Sequence, residues 1–394
     1  MESGKYVLIS GFNIHDNNRG TAALSYGAIS FLKEKNLLTE KQILVNFRRI
    51  KNFFRAKNRG CFEEKISTAD GNWTHITFNV FFLEVALYMR LGILFPFTSF
   101  GKAMRQISLV AAINGGDGFS DIYSTETFLG RLYDIGYAMR KGIPVIILPQ
   151  TLGPFRDKRN LLIAKRILKY ANMVYVRDDK FTDELMKMNV KYELTKDLSA
   201  FMKPQSWDIA IPKNSIGINV SGLAYSNTFR TLSGQFEQYP ALIDELIRHF
   251  QKKGLTVYLI PHSYNYNNPE QSNDDIVACR EAYNKLKDKQ NVVFLDENLT
   301  SPKIKYVISL MSFFIGTRMH ANFAAIYTGV PVFGLAYSFK FDGAFTANGL
   351  DGRKQTAKIN NLLKREIPTV IEKIESVYQQ YVDSKIGYEN EQGL

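Results

Sequence analysis

From Phe313 to Gly343 the sequence reads FFIGTRMHANFAAIYTGVPVFGLAYSFKFDG, and its first third brings together residues that can do chemistry. An apolar strand runs from Phe313 to Gly316 and a helix begins near Met319, so Thr317, Arg318 and His320 fall where a strand hands over to a helix. Such a junction presents backbone N–H groups with no intrahelical acceptor, at the positive end of the helix dipole, which suits a phosphate or a carboxylate. Arg318 adds a bidentate fork for the same anions. His320 can supply a proton near neutral pH. The following strand, Val332–Ala336, leads into Tyr337, Ser338 and Lys340 on the same edge, with Lys340 as a second candidate cation.

Other strand ends carry further candidates. Ile216–Val220 runs into Ser221 and Gly222, a hydroxyl next to a residue that lets a ligand approach the backbone. Val257–Pro261 ends at His262, which either contacts a ligand or caps its own loop. Leu109–Asn114 opens the run NGGDGFSD, in which the glycines allow a tight turn and Asp117 and Asp121 can accept protons or hydrogen bonds from sugar hydroxyls. For Asp121, capping a helix N-terminus is the competing role. Val145–Pro149 is followed by Gln150–Pro154, and Asn13 and residues 17–21 again join a strand to a helix, as polar ligand contacts would.

These loops share one position, the carboxyl end of an apolar strand, and doubly wound α/β sheets bind ligands there. The remaining elements fit that scheme. Strands Tyr6–Ser10, Met173–Arg177 and Val292–Leu295 alternate with helical patterns at Thr21–Lys35, Phe128–Lys141, Lys158–Ala171, Lys180–Met188, Tyr239–Lys253, Gln271–Lys287, Pro302–Met311 and Ala321–Thr328, the rhythm of parallel strands with crossover helices. The periodicity lapses over residues 197–215, DLSAFMKPQSWDIAIPKNS, before a fresh strand opens. The expected architecture is α/β, two Rossmann-like domains facing each other across a cleft, residues 1–205 and 206–394.

At 394 residues, 45% hydrophobic and 22% charged, the chain has ample material for two cores and is not a largely disordered one. Fifty Lys and Arg against 38 Asp and Glu leave a net charge of +12, which favours anionic partners. No GxxxxGK[ST], GxGxxG or HExxH pattern occurs, the five histidines are scattered, and no nucleic-acid module is visible. Neither a resident cofactor, a metal nor a nucleic acid is therefore expected. Cys61 and Cys279 lack paired spacing and read as reduced core residues. The N-terminus shows no secretory signal, and residues 79–100 are interrupted by Glu84, Arg90 and Pro96, too often for a spanning helix, so the cytoplasm is the expected location.

One segment breaks the rhythm. Lys41 to Arg59 holds Lys41, Arg48, Arg49, Lys51, Arg55, Lys57 and Arg59 with no acid, and an aromatic, apolar stretch follows from Trp73 to Phe100. It reads as an insertion over about 41–100, a solvated basic loop followed by core helices. The alternative is a patch facing acidic headgroups at the inner face of the cytoplasmic membrane.

Taken together, NGGDGFSD, ILPQTLGPF, YVRDDKFTDEL, DLSAF, INVSGL, LIPHS and above all IGTRMHANFAAIYTGVPVFGLAYSFKFDG resemble the polysaccharide pyruvyl transferases, over most of the chain. The first loop departs from that family's frequent Asn-x-Gly-Asp form, reading NNRGTAAL. The resemblance implies a glycosyltransferase-B-like fold and transfer of the pyruvyl group of phosphoenolpyruvate to two hydroxyls of a sugar, closing a cyclic ketal and releasing phosphate. It implies His320 as the acid that protonates the methylene carbon, Arg318 as the anion clamp and His262 as support in a donor site of the second domain. The first domain then holds the acceptor sugar, lipid-linked if the basic patch meets a membrane, with Asp117 or Asp121 as base or positioner. A nucleotide-sugar glycosyltransferase of the same fold, or a non-catalytic scaffold in polysaccharide assembly, are the competing readings.

Overall fold

The computed structural model describes residues 5–51, 60–338 and 340–392. The chain forms two compact units, one of residues up to Ile14 together with Ala23–Lys203, the other of Pro204 onward together with the short segment His15–Ala22.

The first unit is built on eight strands, β1 (Tyr6–Ser10), β2 (Ile43–Ile50), β3 (Cys61–Thr68), β4 (Gly71–Phe81), β5 (Ile107–Ala112), β6 (Val145–Gln150), β7 (Met173–Val176) and β8 (Tyr192–Leu194). They lie in the order β3-β4-β2-β1-β5-β6-β7-β8, parallel except for the antiparallel β3–β4 pair. Its helices are α1 (Arg19–Glu34, after its first turn), α2 (Phe82–Leu91), α3 (Ser99–Gln106), α4 (Thr125–Arg131), α5 (Tyr133–Lys141), α6 (Lys158–Tyr170), α7 (Thr182–Lys187) and α8 (Leu198–Phe201). Side chains alternate across a strand, so each continuous apolar run feeds two cores. Leu8, Val110 and Ile147 join one cluster, while Val7, Ile9, Leu109, Ala111, Ile146 and Leu148 join the other.

The second unit repeats the principle with six parallel strands, β9 (Ser215–Asn219), β10 (Thr256–Leu259), β11 (Val292–Phe294), β12 (Phe313–Gly316), β13 (Val332–Ala336) and β14 (Thr356–Lys358), in the order β11-β10-β9-β12-β13-β14. The helices are α9 (Gly222–Ser226), α10 (Tyr239–Lys252), α11 (Asp275–Lys285), α12 (Ser301–Ser309), α13 (Met319–Ile326), α14 (Lys340–Ala347) and α15 (Ile367–Gln392). Ile216, Ile218, Phe313 and Ile315 point to one core, and Tyr258, Phe314 and Val332 to the other. Helix α10 shows why it forms: Leu242, Ile243, Leu246, Ile247 and Phe250 recur at helical spacing and are all buried.

Three expectations are corrected. The basic stretch after Lys41 is not a loop but strand β2, in register with β1 at Val7↔Leu44 and Leu8↔Val45 and with β4 beyond it. Leu44 and Val45 enter opposite cores while Arg48 and Arg49 stand on the exposed half of the strand, so charge concealed a period-two pattern. The region to Phe100 is accordingly part of the sheet rather than an insertion of helices, although α2 and α3 follow β4; Arg55, Lys57 and Arg59 lie outside the described residues. Cys61 sits exposed on the edge strand β3, whereas Cys279 is fully buried. The single helix expected over 128–141 is two, α4 and α5, parted at Leu132.

Candidate functional site

In the second sheet, strands β9 and β12 are neighbours from which the remaining strands run outward in opposite directions. Folds of this kind take ligands beyond the carboxyl ends of the strands at such a reversal of strand order. Ser221 and Gly222 follow β9, Thr317, Arg318 and His320 follow β12, and His262 follows the adjacent β10.

A residue not foreseen from the sequence ties these loops together. Asp275, the first residue of α11, is wholly buried. Its Oδ2 accepts from the amides of His262 (3.0 Å) and Ser263 (2.9 Å) and from Asn219 Nδ2 (3.2 Å). Its Oδ1 accepts from the amide of Gly222 (2.9 Å) and from Arg318 Nε (3.0 Å) and Nη2 (2.8 Å). One carboxylate thus fixes the ends of β9, β10 and β12. Nothing local in DDIVACREAY distinguishes it from an ordinary helix N-terminal acid, which is why the sequence alone does not single it out.

Arg318 is therefore not an open fork. Its Nε–Nη2 edge is held by Asp275 and by Asn273, whose carbonyl and Oδ1 also accept from Nη2 at 2.7 and 3.2 Å. The remaining nitrogen, Nη1, and the positive end of α13 at Met319 are suited to an anion. The Arg318 amide donates to Asn219 Oδ1 at 2.8 Å, which sets the angle at which the chain enters the helix. Thr317 and Gly222, expected as ligand contacts, serve the framework instead. Thr317 Oγ1 is buried and bonded to the Tyr239 hydroxyl at 2.7 Å, and a Cβ on Gly222 would lie 2.3 Å from the Asn273 carbonyl oxygen. Tyr337 packs on Phe341 (ring centroids 5.5 Å apart) and half-buried Ser338 follows it; Lys340 opens α14, and its side chain lies outside the described residues.

In these loops Ser221 Oγ and His262 Nδ1 are buried with no hydrogen-bond partner. Buried polar groups in a folded protein are nearly always paired, so such atoms mark a place where a ligand or an ordered water completes the structure. His262 is held neutral, because burial and then the nearby charges of His320, Arg19 and Arg318 push its pKa well below the ordinary 6.5. A neutral imidazole carries one donor and one acceptor nitrogen.

The segment 15–22 completes this site, although in sequence it follows the first strand of the other unit. The amide of Arg19 donates to the His262 carbonyl (3.1 Å) and the amide of Tyr264 to the Asn17 carbonyl (2.9 Å). Arg19 is buried with its guanidinium 4.4 Å above the Tyr264 ring and bonded to the Leu299 carbonyl at 2.8 Å. Gly20 lies so close to His320 that a Cβ would come within 2.6 Å of its imidazole.

The first unit has the matching place between β1 and β5. Exposed Asn13 follows β1 and donates its amide to Ser25 Oγ at 2.8 Å. After β5, Asn114 is buried with neither side-chain heteroatom hydrogen-bonded. Gly115 and Gly116 then turn the chain at φ of 73° and 81°, values that disfavour any other residue. The PQTLG segment pins this loop: the Thr151 amide donates to the Gly116 carbonyl (2.8 Å) and the Gly153 amide to that of Phe119 (2.9 Å). Half-buried Asp117 accepts from Tyr123, whose phenol is pushed up to about 12 by burial and by that carboxylate and so remains a donor. Asp121 is different. It accepts from the amides of Arg156 (2.8 Å) and Asp157 (2.9 Å) and from Asn160 (3.0 Å). Burial would raise its pKa, but those bonds outweigh burial and hold it below 3.8. It anchors the turn that leads into α6, and the cap of that helix is Asp157 rather than Asp121. Among the described residues no three His, Cys, Asp or Glu side chains are grouped to hold a metal ion.

Comparison with known proteins agrees with this fold. A family profile described as polysaccharide pyruvyl transferase matches residues 18–339. Among solved structures, the UDP-GlcNAc 2-epimerase of Methanocaldococcus jannaschii superposes with a TM-score of 0.50 at 8% identity, over 93% of this chain and 91% of that one. A second UDP-N-acetylglucosamine 2-epimerase gives 0.51 at 12%, over 96% and 91%. At such identities the likeness is one of fold, glycosyltransferase-B-like with two parallel-sheet units. No curated protein matches the chain.

Proposed function

The chain belongs to the polysaccharide pyruvyl transferase family, and we propose on that footing that it moves the pyruvyl group of phosphoenolpyruvate onto two hydroxyls of a sugar in the synthesis of a surface or capsular polysaccharide. The observation that carries the reading is the edge formed by β9, β10 and β12. Arg318 and a helix N-terminus offer positive charge there beside His320, and Ser221 Oγ and His262 Nδ1 are buried without partners.

Phosphoenolpyruvate carries a phosphate and a carboxylate on one carbon. Arg318 Nη1 and the positive end of α13 are the counter-charges for one of them, with Ser221 Oγ as a further donor and Lys340 as the second cation. His320 delivers a proton to the methylene carbon, which becomes a methyl group as a sugar oxygen bonds to C2. The C2–O bond to phosphate then breaks, and the second hydroxyl oxygen takes its place. Of the two protons lost by the hydroxyls, one restores His320 and the other leaves with phosphate. His262, neutral and fixed through its backbone by Asp275 and Arg19, hydrogen-bonds the ligand through a ring nitrogen without adding charge. The sugar is assigned to the first unit, with Asn13 and Asp117 as hydroxyl contacts and Asp117 as the base that takes up the proton later carried off with phosphate.

The test is thermal unfolding with phosphoenolpyruvate beside UDP-N-acetylglucosamine, the substrate named for the structural neighbours. A ligand at ~100 times its dissociation constant stabilises the native state by about 2.7 kcal/mol. Phosphoenolpyruvate is expected to raise the midpoint of wild type and of His320→Asn and less so of Ser221→Ala. Stabilisation by the nucleotide sugar alone would replace this reading with a glycosyltransferase.

A further inference from the structure

Helix α2 has the composition of a helix buried all round, yet it is not buried all round. Its inner face places Glu84, Val85 and Tyr88 in the first unit's interior. Its outer face presents Leu83, Leu87 and Leu91, at i, i+4 and i+8, to solvent, and Leu91 is 64% exposed. The apolar surface continues from Phe82 at one end to Ile93 and Phe97 at the other, the last 71% exposed. A contiguous set of this kind on a water-facing protein marks a surface that meets something apolar.

Its rim states what that is. Between Phe82 and Gln106 the one acidic residue is Glu84, which is buried and accepts from the Thr98 hydroxyl, while Arg90, Lys102 and Arg105 are exposed. Arg105 Nη2 bonds the Pro96 carbonyl at 2.6 Å and Arg140 Nη1 the Met89 carbonyl at 3.1 Å, so two guanidinium groups bracket the apolar segment. Leucines and a phenylalanine ringed by cations match a bilayer interface with acidic headgroups, where the apolar face sinks to the acyl boundary and the cations stay among phosphates. A second copy of the chain is the poorer occupant, because a two-fold contact would bring this rim against itself, like charge on like.

We propose that α2 and the loop to Phe97 form a membrane-docking surface for an acidic lipid bilayer, independent of the donor chemistry in the second unit. The experiment is co-sedimentation of the full chain with vesicles of phosphatidylcholine alone and of phosphatidylcholine mixed equally with phosphatidylglycerol, at low and high salt. Wild type is expected on the acidic vesicles, with binding weakened by salt. Leu87→Ser and Leu91→Ser should each lower the partition about tenfold, and Arg90→Gln with Lys102→Gln about thirtyfold. All are surface changes, and phosphoenolpyruvate stabilisation of the same samples, measured in parallel, keeps a failure of docking separate from a failure of the donor reading. The proposal is overturned if wild type binds neither vesicle, if it binds both equally, if the serine variants bind undiminished, or if those serines abolish a concentration-dependent dimer that forms without lipid.

Discussion

The two units share a sheet plan and differ in how they finish it. In the second, the ends of three strands are drawn onto the one buried carboxylate of Asp275, which engages Gly222, His262, Ser263, Asn219 and Arg318. In the first, the loop after β5 is shaped by glycines at positive φ and by backbone bonds from PQTLG, and its buried acid, Asp121, anchors a neighbouring helix instead of gathering strand ends. The hub of the second unit suits the dianion of the proposed reaction, since groups already held in place lose little freedom on binding. The turn-shaped edge of the first unit suits the hydroxyls of the proposed acceptor, read by single side chains such as Asn13 and Asp117. The contrast teaches that a ligand edge can be made rigid by a hub or merely shaped by a turn, and that only the hub concentrates its stability in one residue.

The largest effect should follow removal of that hub. Asp275→Ala leaves the Arg318 guanidinium buried without its counter-charge, and a loss of about 3 to 5 kcal/mol in denaturant unfolding is expected, together with loss of stabilisation by phosphoenolpyruvate; a variant of native stability would break the comparison. Gly20→Ala places a methyl against His320, and a shift of that ring should cost turnover about a hundredfold while phosphoenolpyruvate still raises the unfolding midpoint. Within the first unit, Asp121→Asn is expected to cost about 1 to 3 kcal/mol, whereas Asp117→Asn should leave stability unchanged and lower turnover. The reverse pattern in those two rates and midpoints would exchange their roles.

The smallest effect is one of pH. His262 has a folded pKa well below its unfolded 6.5, so the unfolded chain binds the extra proton. Its contribution to stability is complete above pH 6.5 and falls as the pH drops below that value, by about 1.4 kcal/mol per pH unit until the folded pKa is reached. In His262→Gln the acid limb of the unfolding midpoint should flatten by that amount; an unchanged limb would mean that His262 is charged in the fold.

Much of the fold was legible because it is periodic. Apolar runs such as VIILPQ and FFIG declare buried parallel strands, and their ends pointed to Arg318, His320, His262 and Ser221. The misreadings have physical causes. The charges of β2 overlay a strand whose buried half is two residues, Leu44 and Val45, too few to stand out. The three-residue strands β8 and β14 have almost no pattern to show. Thr317 and Gly222 sit at the right edge, but whether a hydroxyl or an amide faces a ligand or the framework depends on what else arrives there, and in both cases Tyr239 or Asp275 arrived.

Sequence by itself determined the α/β class, the strand ends where chemistry collects and the residue types able to handle an anion and a proton, because hydrophobic spacing and motif order are local properties. Tertiary structure alone decided that Asp275 holds half of Arg318, that Gly20 seats His320 from a segment distant in the chain, and that Asp121 is an anchor. Those facts depend on contacts between residues far apart in sequence, where only the folded backbone sets which donor meets which acceptor.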